Sequence, residues 1–342
     1  MTKRGIFTTV SWAGCFLLFL AVPFLTNRYQ INLLTEIIIF ALYGVTYNLL
    51  LGYGGLLSFG HAMFFGIGAY TVGILLHSWP GSPLLAVVVY ATLITSVAGF
   101  LIGCLLLKVK GTPFALLTLA FNSLFFAIAF KWYAVTGGDD GLSIKRPNID
   151  LGFLTLNTSD VSTFYYITLI VLSLSIFICW YFTRTAMGQT VLLMRENESR
   201  MQFIGYNPAV ARLILFTFTA CFAGMAGAFY TLHFRFVSVD AVSVDMTTTV
   251  LLLTFIGGTD HFAGPLVGSA FYIYIQDYLS DYTDRWPFFM GLIFILMVMY
   301  APRGVSGIIV SVATWLRDRF HLIVKHRSSV DMKEPDHDTV GS

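Results

Sequence analysis

The chain has 342 residues, 57% of them hydrophobic and only 11% charged, with a formal net charge of +2. Together with a mean hydropathy of +0.77, this leaves too few polar side chains to cover a soluble globule, so the soluble globular classes are excluded. A net charge this small gives no reason to expect a nucleic-acid partner.

A helix crosses the hydrocarbon core of a bilayer with about 20 apolar residues, and such runs follow one another nearly from end to end. They are long and charge-free, unlike the ten-residue alternation of a membrane barrel. A helix satisfies its own backbone in lipid. The fold expected is therefore all-α, a polytopic helical membrane protein with about ten transmembrane or partly spanning helices. Lys3 and Arg4 precede an apolar run over 6–25. Signal peptides share that charge pattern, but no small-x-small cleavage site follows, so a retained first span with a cytoplasmic N-terminus is expected.

Further spans are expected over 33–51, 56–76, 83–107 and 114–135, then a polar outer loop over 136–162 and a span over 164–183. A second polar stretch, 184–212, separates this from a span over 213–234. Two short apolar segments, 246–257 and 262–278, and a last span over 287–300 complete the pattern. Residues 1–328 thus form one transmembrane unit, and 329–342 a polar tail expected to be disordered and cytoplasmic. Alternating the sides from a cytoplasmic start places fourteen of the 20 Lys and Arg inside. Arg28, Lys131, Lys145, Arg146, Arg235 and Arg285 fall outside, the asymmetry the positive-inside rule requires. The C-terminus is cytoplasmic on this count.

The stretch from Arg184 to Arg212 is the longest polar interruption, and it lies on the cytoplasmic side. A helix with a mixed surface is expected over 188–204, with Glu196 and Arg200 at the supportive i,i+4 spacing. Gly205 suits the residue just past a helix end, and Asn207-Pro208 supplies an N-cap and first-turn proline for the next helix. Arg195, Glu196, Asn197, Glu198 and Arg200, with Gly205, form a surface suited to press against a soluble protein. An ordinary solvated loop is the alternative.

Two glycine-rich stretches interrupt the spans. Gly52 to Gly73 (GYGGLLSFGHAMFFGIGAYTVG) holds seven glycines, and Gly257 to Tyr272 (GGTDHFAGPLVGSAFY) has a related pattern. Interrupted segments at corresponding positions point to a transport path, while close helix packing needs the same glycines. Ser58, Gly60 and His61 lie in the first stretch, where they either satisfy freed backbone groups or line the path. Glu36, near the outer start of its span, either reaches the interface or joins the path. Asp260 and His261 occupy a turn expected to be solvated. Cys15, Cys104, Cys179 and Cys221 all fall in apolar segments without CxxC spacing and are expected to be buried thiols, with no metal site. Phosphate-loop, HExxH and GxSxG patterns do not occur, so no enzymatic role is expected. The middle of the spans is nearly bare of ionisable groups, which leaves the energy source outside the chain.

LLGYGGLLSFGHAMFFGIGAY (Leu50–Tyr70), GTPFALLTLAF (Gly111–Phe121), TGGDDGLSI (Thr136–Ile144) and RENESRMQFIGYN (Arg195–Asn207) resemble the permeases of branched-chain amino acid ABC transporters, of the LivM type. The similarity continues in consistent order to Ile309. The resemblance implies a multi-pass protein of the bacterial inner membrane that pairs with a second permease subunit. It also implies two cytoplasmic ABC ATPase subunits, which bind the ATP and Mg, and a periplasmic solute-binding protein. It places the coupling helix at Arg195–Gly205 and implies alternating access. Leu56 stands where the family often has Gln, and Ser123 and Phe126 where it often has Glu and Arg, which lowers polarity near the presumed path. Urea, short amides and other small solutes are the alternative cargo within the family.

Overall fold

The computed structural model describes residues 26–106, 111–150, 155–301 and 303–308, with residues 23 and 109. The expected first span (residue 23 apart), Cys15 and the polar tail lie outside the described residues. Helix α1, Arg28–Asn48, runs into a π-helical turn at Leu49–Tyr53. Then come α2, His61–Ser78, α3, Leu84–Leu106, and α4, Thr112–Lys131. A one-turn α5, Tyr133–Thr136, opens the polar loop expected over 136–162, which ends at α6, Val161–Arg184. Two short helices, α7 (Ala186–Glu196) and α8 (Glu198–Phe203), precede the long α9, Pro208–Phe234. The chain continues through α10, Val244–Gly257, α11, Gly264–Ser280, and α12, Trp286–Tyr300.

Among the described residues, α1 with its π-turn, α3, α4, α6 and α9 are long and apolar enough to cross a membrane, and α10 and α12 are shorter apolar helices. Burial sorts these spans. The apolar window of α1 is 83% buried, against 28% for α4, so α1 is the inner pillar and α4 turns most of its surface outward. α1 packs on α6, α9 and α11, while α9 packs on α2 and α3. The expected start of the third span at 56 moves to His61. Gly55 adopts φ +66°, a conformation that glycine enters without strain, and residues 55–60 stay outside any helix.

Small residues set the closest crossings. A Cβ at Gly68 on α2 would stand 2.0 Å from the Gly224 carbonyl oxygen on α9, and one at Gly224 would stand 2.3 Å from Thr95 Oγ1 on α3. Three helices therefore approach to backbone contact at one level, as small-residue interfaces allow.

Among the described residues, strands are confined to short pairings in and beside the polar loop between α5 and α6. Strand β1 (Leu142–Ser143) pairs antiparallel with β4 (Phe236–Val237), and β2 (Ile149–Asp150) with β3 (Thr155–Leu156). Arg146 straps this loop to α9. Its guanidinium donates to the carbonyls of Leu232, His233 (2.6 Å) and Thr158 (3.3 Å), and it lies 3.8 Å above the Phe164 ring centroid. Burial, with Arg235 nearby, pulls its pKa down to about 10, so it stays charged at neutral pH and complements the negative end of α9. Asp160 caps α6 by accepting from the Thr163 N–H (3.0 Å). That bond holds its carboxyl below the usual range, with Arg28 at the start of α1 adding to it. The starts of α1 and α6 and the end of α9 thus share one face.

One expectation holds here and one changes. The short segment expected over 246–257 is a short helix, with an interruption before it. After β4 the chain makes a 3-10 turn at Val239–Val242 before α10 begins. Of the cysteines, Cys179 is buried and Cys221 half-buried, but Cys104 is exposed on α3, because only one side of that apolar helix meets the protein.

Candidate coupling and translocation site

Thr185 caps α7 by accepting from Gly188 N–H (3.2 Å), and α7 seats Val191 and Met194 against the protein. The helix stops at Asn197, which has extended backbone (φ −160°, ψ 98°) and caps α8 by accepting from Arg200 N–H (2.9 Å). Asparagine favours this arrangement because its side-chain carbonyl competes with the backbone for the helical N–H groups. The single helix expected over 188–204 is therefore two helices meeting at a bend, and Glu196 and Arg200 do not share a continuous helical face. Gly205 sits past the end of α8 at φ +92° in open space. Asn207 caps α9 (3.0 Å to Ala209 N–H) ahead of Pro208, as expected.

The side chains of this segment divide into two sets. Arg195 reaches inward, its guanidinium donating to the Gly52 carbonyl in the π-turn and its stem lying where a Cβ on Gly55 would stand (3.0 Å to Cγ). Glu198 pairs at 3.2 Å with Arg212 on α9, whose side chain is only 5% exposed. Glu196, Asn197 and Arg200 are exposed. Between them α8 ends in an apolar tip that sequence reasoning missed: Phe203 is 91% exposed, Ile204 61% and Tyr206 51%. The signal was present, since RMQFIGY places three large apolar residues around a helix-ending glycine, but a mixed composition hides which of them are buried.

Ser58, Gly60 and His61 come together in a sealed polar cluster. Ser58 and His61 are fully buried. Thr46 Oγ1 lies 3.0 Å from His61 Nε2, Tyr47 donates to the Ser58 carbonyl (3.2 Å), and the Gly60 N–H reaches Ser58 Oγ (3.3 Å). Thr118 on α4 accepts from the Phe59 N–H (3.2 Å), and a Cβ at Gly60 would stand 2.0 Å from the Thr118 carbonyl. The His61 ring stacks on Tyr43 at 5.5 Å. Tyr43 OH, His61 Nδ1 and Asn48 Oδ1 are buried without a protein partner, a rare condition for polar atoms in a packed interior.

The two glycine-rich turns meet. Asn48 donates to the His261 carbonyl (3.3 Å), and a Cβ at Gly52 would lie 2.7 Å from the Thr259 carbonyl. Asp260 and His261 are exposed at this second turn. Glu36 stands apart, ten residues from Thr46 and so about 15 Å farther along α1. It is half-buried, with Asp277 on α11 as its electrostatic neighbour, and Tyr29 donates to Asp277.

The family described as the branched-chain amino acid transport system / permease component matches residues 29–301. The LivM permease of the high-affinity branched-chain amino acid transport system of Salmonella typhimurium is 27% identical over 309 residues, covering 83% of this chain and 71% of the relative. The probable LivM permease of Methanocaldococcus jannaschii is 23% identical, covering 80% and 93%. The LsrC permease of the autoinducer 2 import system of Escherichia coli is 24% identical over 249 residues, covering 70% and 69%. No solved structure gives a significant match. With the family match running through nearly all the described helices, the chain belongs to the branched-chain amino acid transport system permease family.

Proposed function

We propose that this chain is the membrane-spanning permease subunit of an ATP-binding cassette importer for branched-chain or other hydrophobic amino acids. It works beside a second permease subunit in the bacterial inner membrane, with both termini cytoplasmic and residues 1–328 as the transmembrane unit. Two cytoplasmic ATPase subunits bind the ATP and Mg, and a periplasmic protein delivers the solute. The chain itself catalyses no reaction.

The observation that carries this reading is the apolar tip of α8, held out from the protein while Arg195 behind it grips the π-turn of α1. Such a tip suits a cleft on a soluble partner, and the grip gives the partner's movement a route to the glycine-rich turns. Arg195, Glu196, Asn197, Glu198, Arg200 and Gly205 are the coupling segment, with Phe203, Ile204 and Tyr206 as its anchors. Closure of the ATPase pair presses on α8. Through Arg195 and Gly52 it moves the turn carrying Ser58, Gly60 and His61, which opens the path to alternate faces. Glu36 guards the outer approach. Relatives named for autoinducer 2 import support a second reading, a small polar solute carried by the same machinery.

Proteoliposomes holding the full complex are expected to take up leucine only with ATP. The double substitution Phe203→Asp, Ile204→Asp removes apolar anchors whose loss costs about 2 kcal/mol or more at an interface centre. ATPase retention on the membrane is then expected to fall roughly 30-fold, while the permease still inserts. Uptake by the lone chain in an ion gradient, or full ATPase retention by the double variant, would refute the coupling scheme. Uptake of urea, a short amide or autoinducer 2 in place of leucine would favour the second reading.

A further inference from the structure

We propose that the first turn of α10, with Asp245 and the neighbouring Asn122, forms a solute-recognition site at mid-depth of the membrane. Asp245 takes the ammonium group of an α-amino acid there, and the N–H groups of Val244 and Asp245 take its carboxylate. The inference rests on the importer reading above and adds to it residues that the sequence pattern does not single out.

The depth follows from α4. Asn122 is the eleventh of the 20 residues of that candidate span, and its amide donates to the Val242 carbonyl (2.9 Å). The break between β4 and α10 therefore lies at the middle of a membrane-crossing helix. Gly66 on α2 makes room for it, since a Cβ there would stand 2.3 Å from Val242 Cγ2. Non-helical backbone at such depth is tolerated only where protein buries it or water lines it. Asp245 is three residues beyond Val242, across the extended Ser243, and so within about 10 Å of the same level.

Its surroundings select its role. Val244 is 44% exposed, and Asp245 and Thr248 are exposed beside it, so this turn opens onto the outside of the single chain. A carboxylate facing lipid at the bilayer centre is strongly disfavoured, and intramembrane acids face a water-filled path or a partner group. The first-turn N–H groups of a helix have no acceptor within it. Ser243 Oγ satisfies that of Met246 (3.2 Å), which leaves those of Val244 and Asp245 at the positive end of a half-helix. Asn122 is the independent sign of a ligand. It is fully buried, one side of its amide is fixed on the break, and its Oδ1 has no protein partner. Asn122 Oδ1 is thus an unsatisfied acceptor beside the break that leads into the Asp245 turn.

Two measurements on the full complex test this. In Asp245→Cys, a membrane-impermeant methanethiosulfonate reagent is expected to label well above the background of the four native cysteines. Leucine delivered by the binding protein is expected to slow that labelling. In Asp245→Asn, leucine uptake at low concentration is expected to fall at least tenfold with ATPase retention unchanged, while Asp245→Glu keeps part of the activity. Labelling no higher than background, or wild-type uptake by Asp245→Asn, overturns the site. A wild-type complex that imports no leucine overturns the amino-acid reading, and the ammonium assignment falls with it. The labelling result then judges separately whether this turn lines a watery path.

Discussion

Alanine in place of Arg195 is expected to leave the transporter assembled and hydrolysing ATP while solute uptake falls about tenfold or more. The reason is geometric. α7 and α8 carry the apolar tip; α7 packs on α6, α9 and the π-turn, and the Arg195 guanidinium on the Gly52 carbonyl is a side-chain hydrogen bond that ties it to that turn. A hydrogen bond to a charged group contributes about 1.5–3 kcal/mol. Coupling free energies between sites span a similar 1–3 kcal/mol, or roughly 5- to 150-fold, so losing this bond can remove most of the link. The acceptor is a backbone oxygen in the π-turn, and Gly55, three residues on, sits at φ +66° against the arginine stem. A bulkier residue at 55 would therefore disturb the same contact from the other side. Arg195→Lys keeps the charge but not the planar fork and is expected to restore part of the uptake. The readout is the ratio of ATP hydrolysed to leucine imported. An unchanged ratio in Arg195→Ala would mean that force passes elsewhere, with the Glu198–Arg212 pair at the foot of α9 the next contact to examine.

Much of this arrangement is legible in the residues, and the rest is hidden for identifiable reasons. Long apolar runs bounded by caps are read closely: Asn207-Pro208 marks the start of α9, and Gly205 the chain reversal after α8. Where glycines cluster, hydropathy alone misleads, because Leu56, Leu57 and Phe59 look like span residues although Gly55 and Gly60 hold them in a turn. The half-helix before α11 reads only as a short apolar segment, since its interruption depends on Asn122, 120 residues earlier. Arg195 stands out as a candidate by its position in the polar segment, but its partner lies 143 residues away. Glu198 offers an obvious charge, yet the spacing that suggests a Glu196–Arg200 pair is cut by the cap at Asn197. Periodicity sees helices. It does not see which backbone carbonyl a long side chain will find.

Gly68→Val is expected to be among the most damaging single changes in the membrane core. Its Cβ would meet the Gly224 carbonyl at 2.0 Å, and backbone cannot swing aside as a flexible side chain can. α2 and α9 would have to separate along a contact that also seats Thr95 of α3 against Gly224. Overpacking a tight core costs about 1–3 kcal/mol, and here the strain falls where three helices share one level. The expected result is a lower unfolding temperature in detergent by several degrees, with reduced yield of folded permease. Gly291 on α12 supplies the contrast. A Cβ there meets nothing within 4 Å in the chain, and alanine is favoured over glycine in a helix interior by roughly 0.5–1 kcal/mol. Gly291→Ala should therefore match or slightly exceed the wild-type unfolding temperature, so the two substitutions, chemically alike, should move it in opposite directions. If Gly68→Val unfolds at the wild-type temperature, α2 and α9 do not cross at backbone contact.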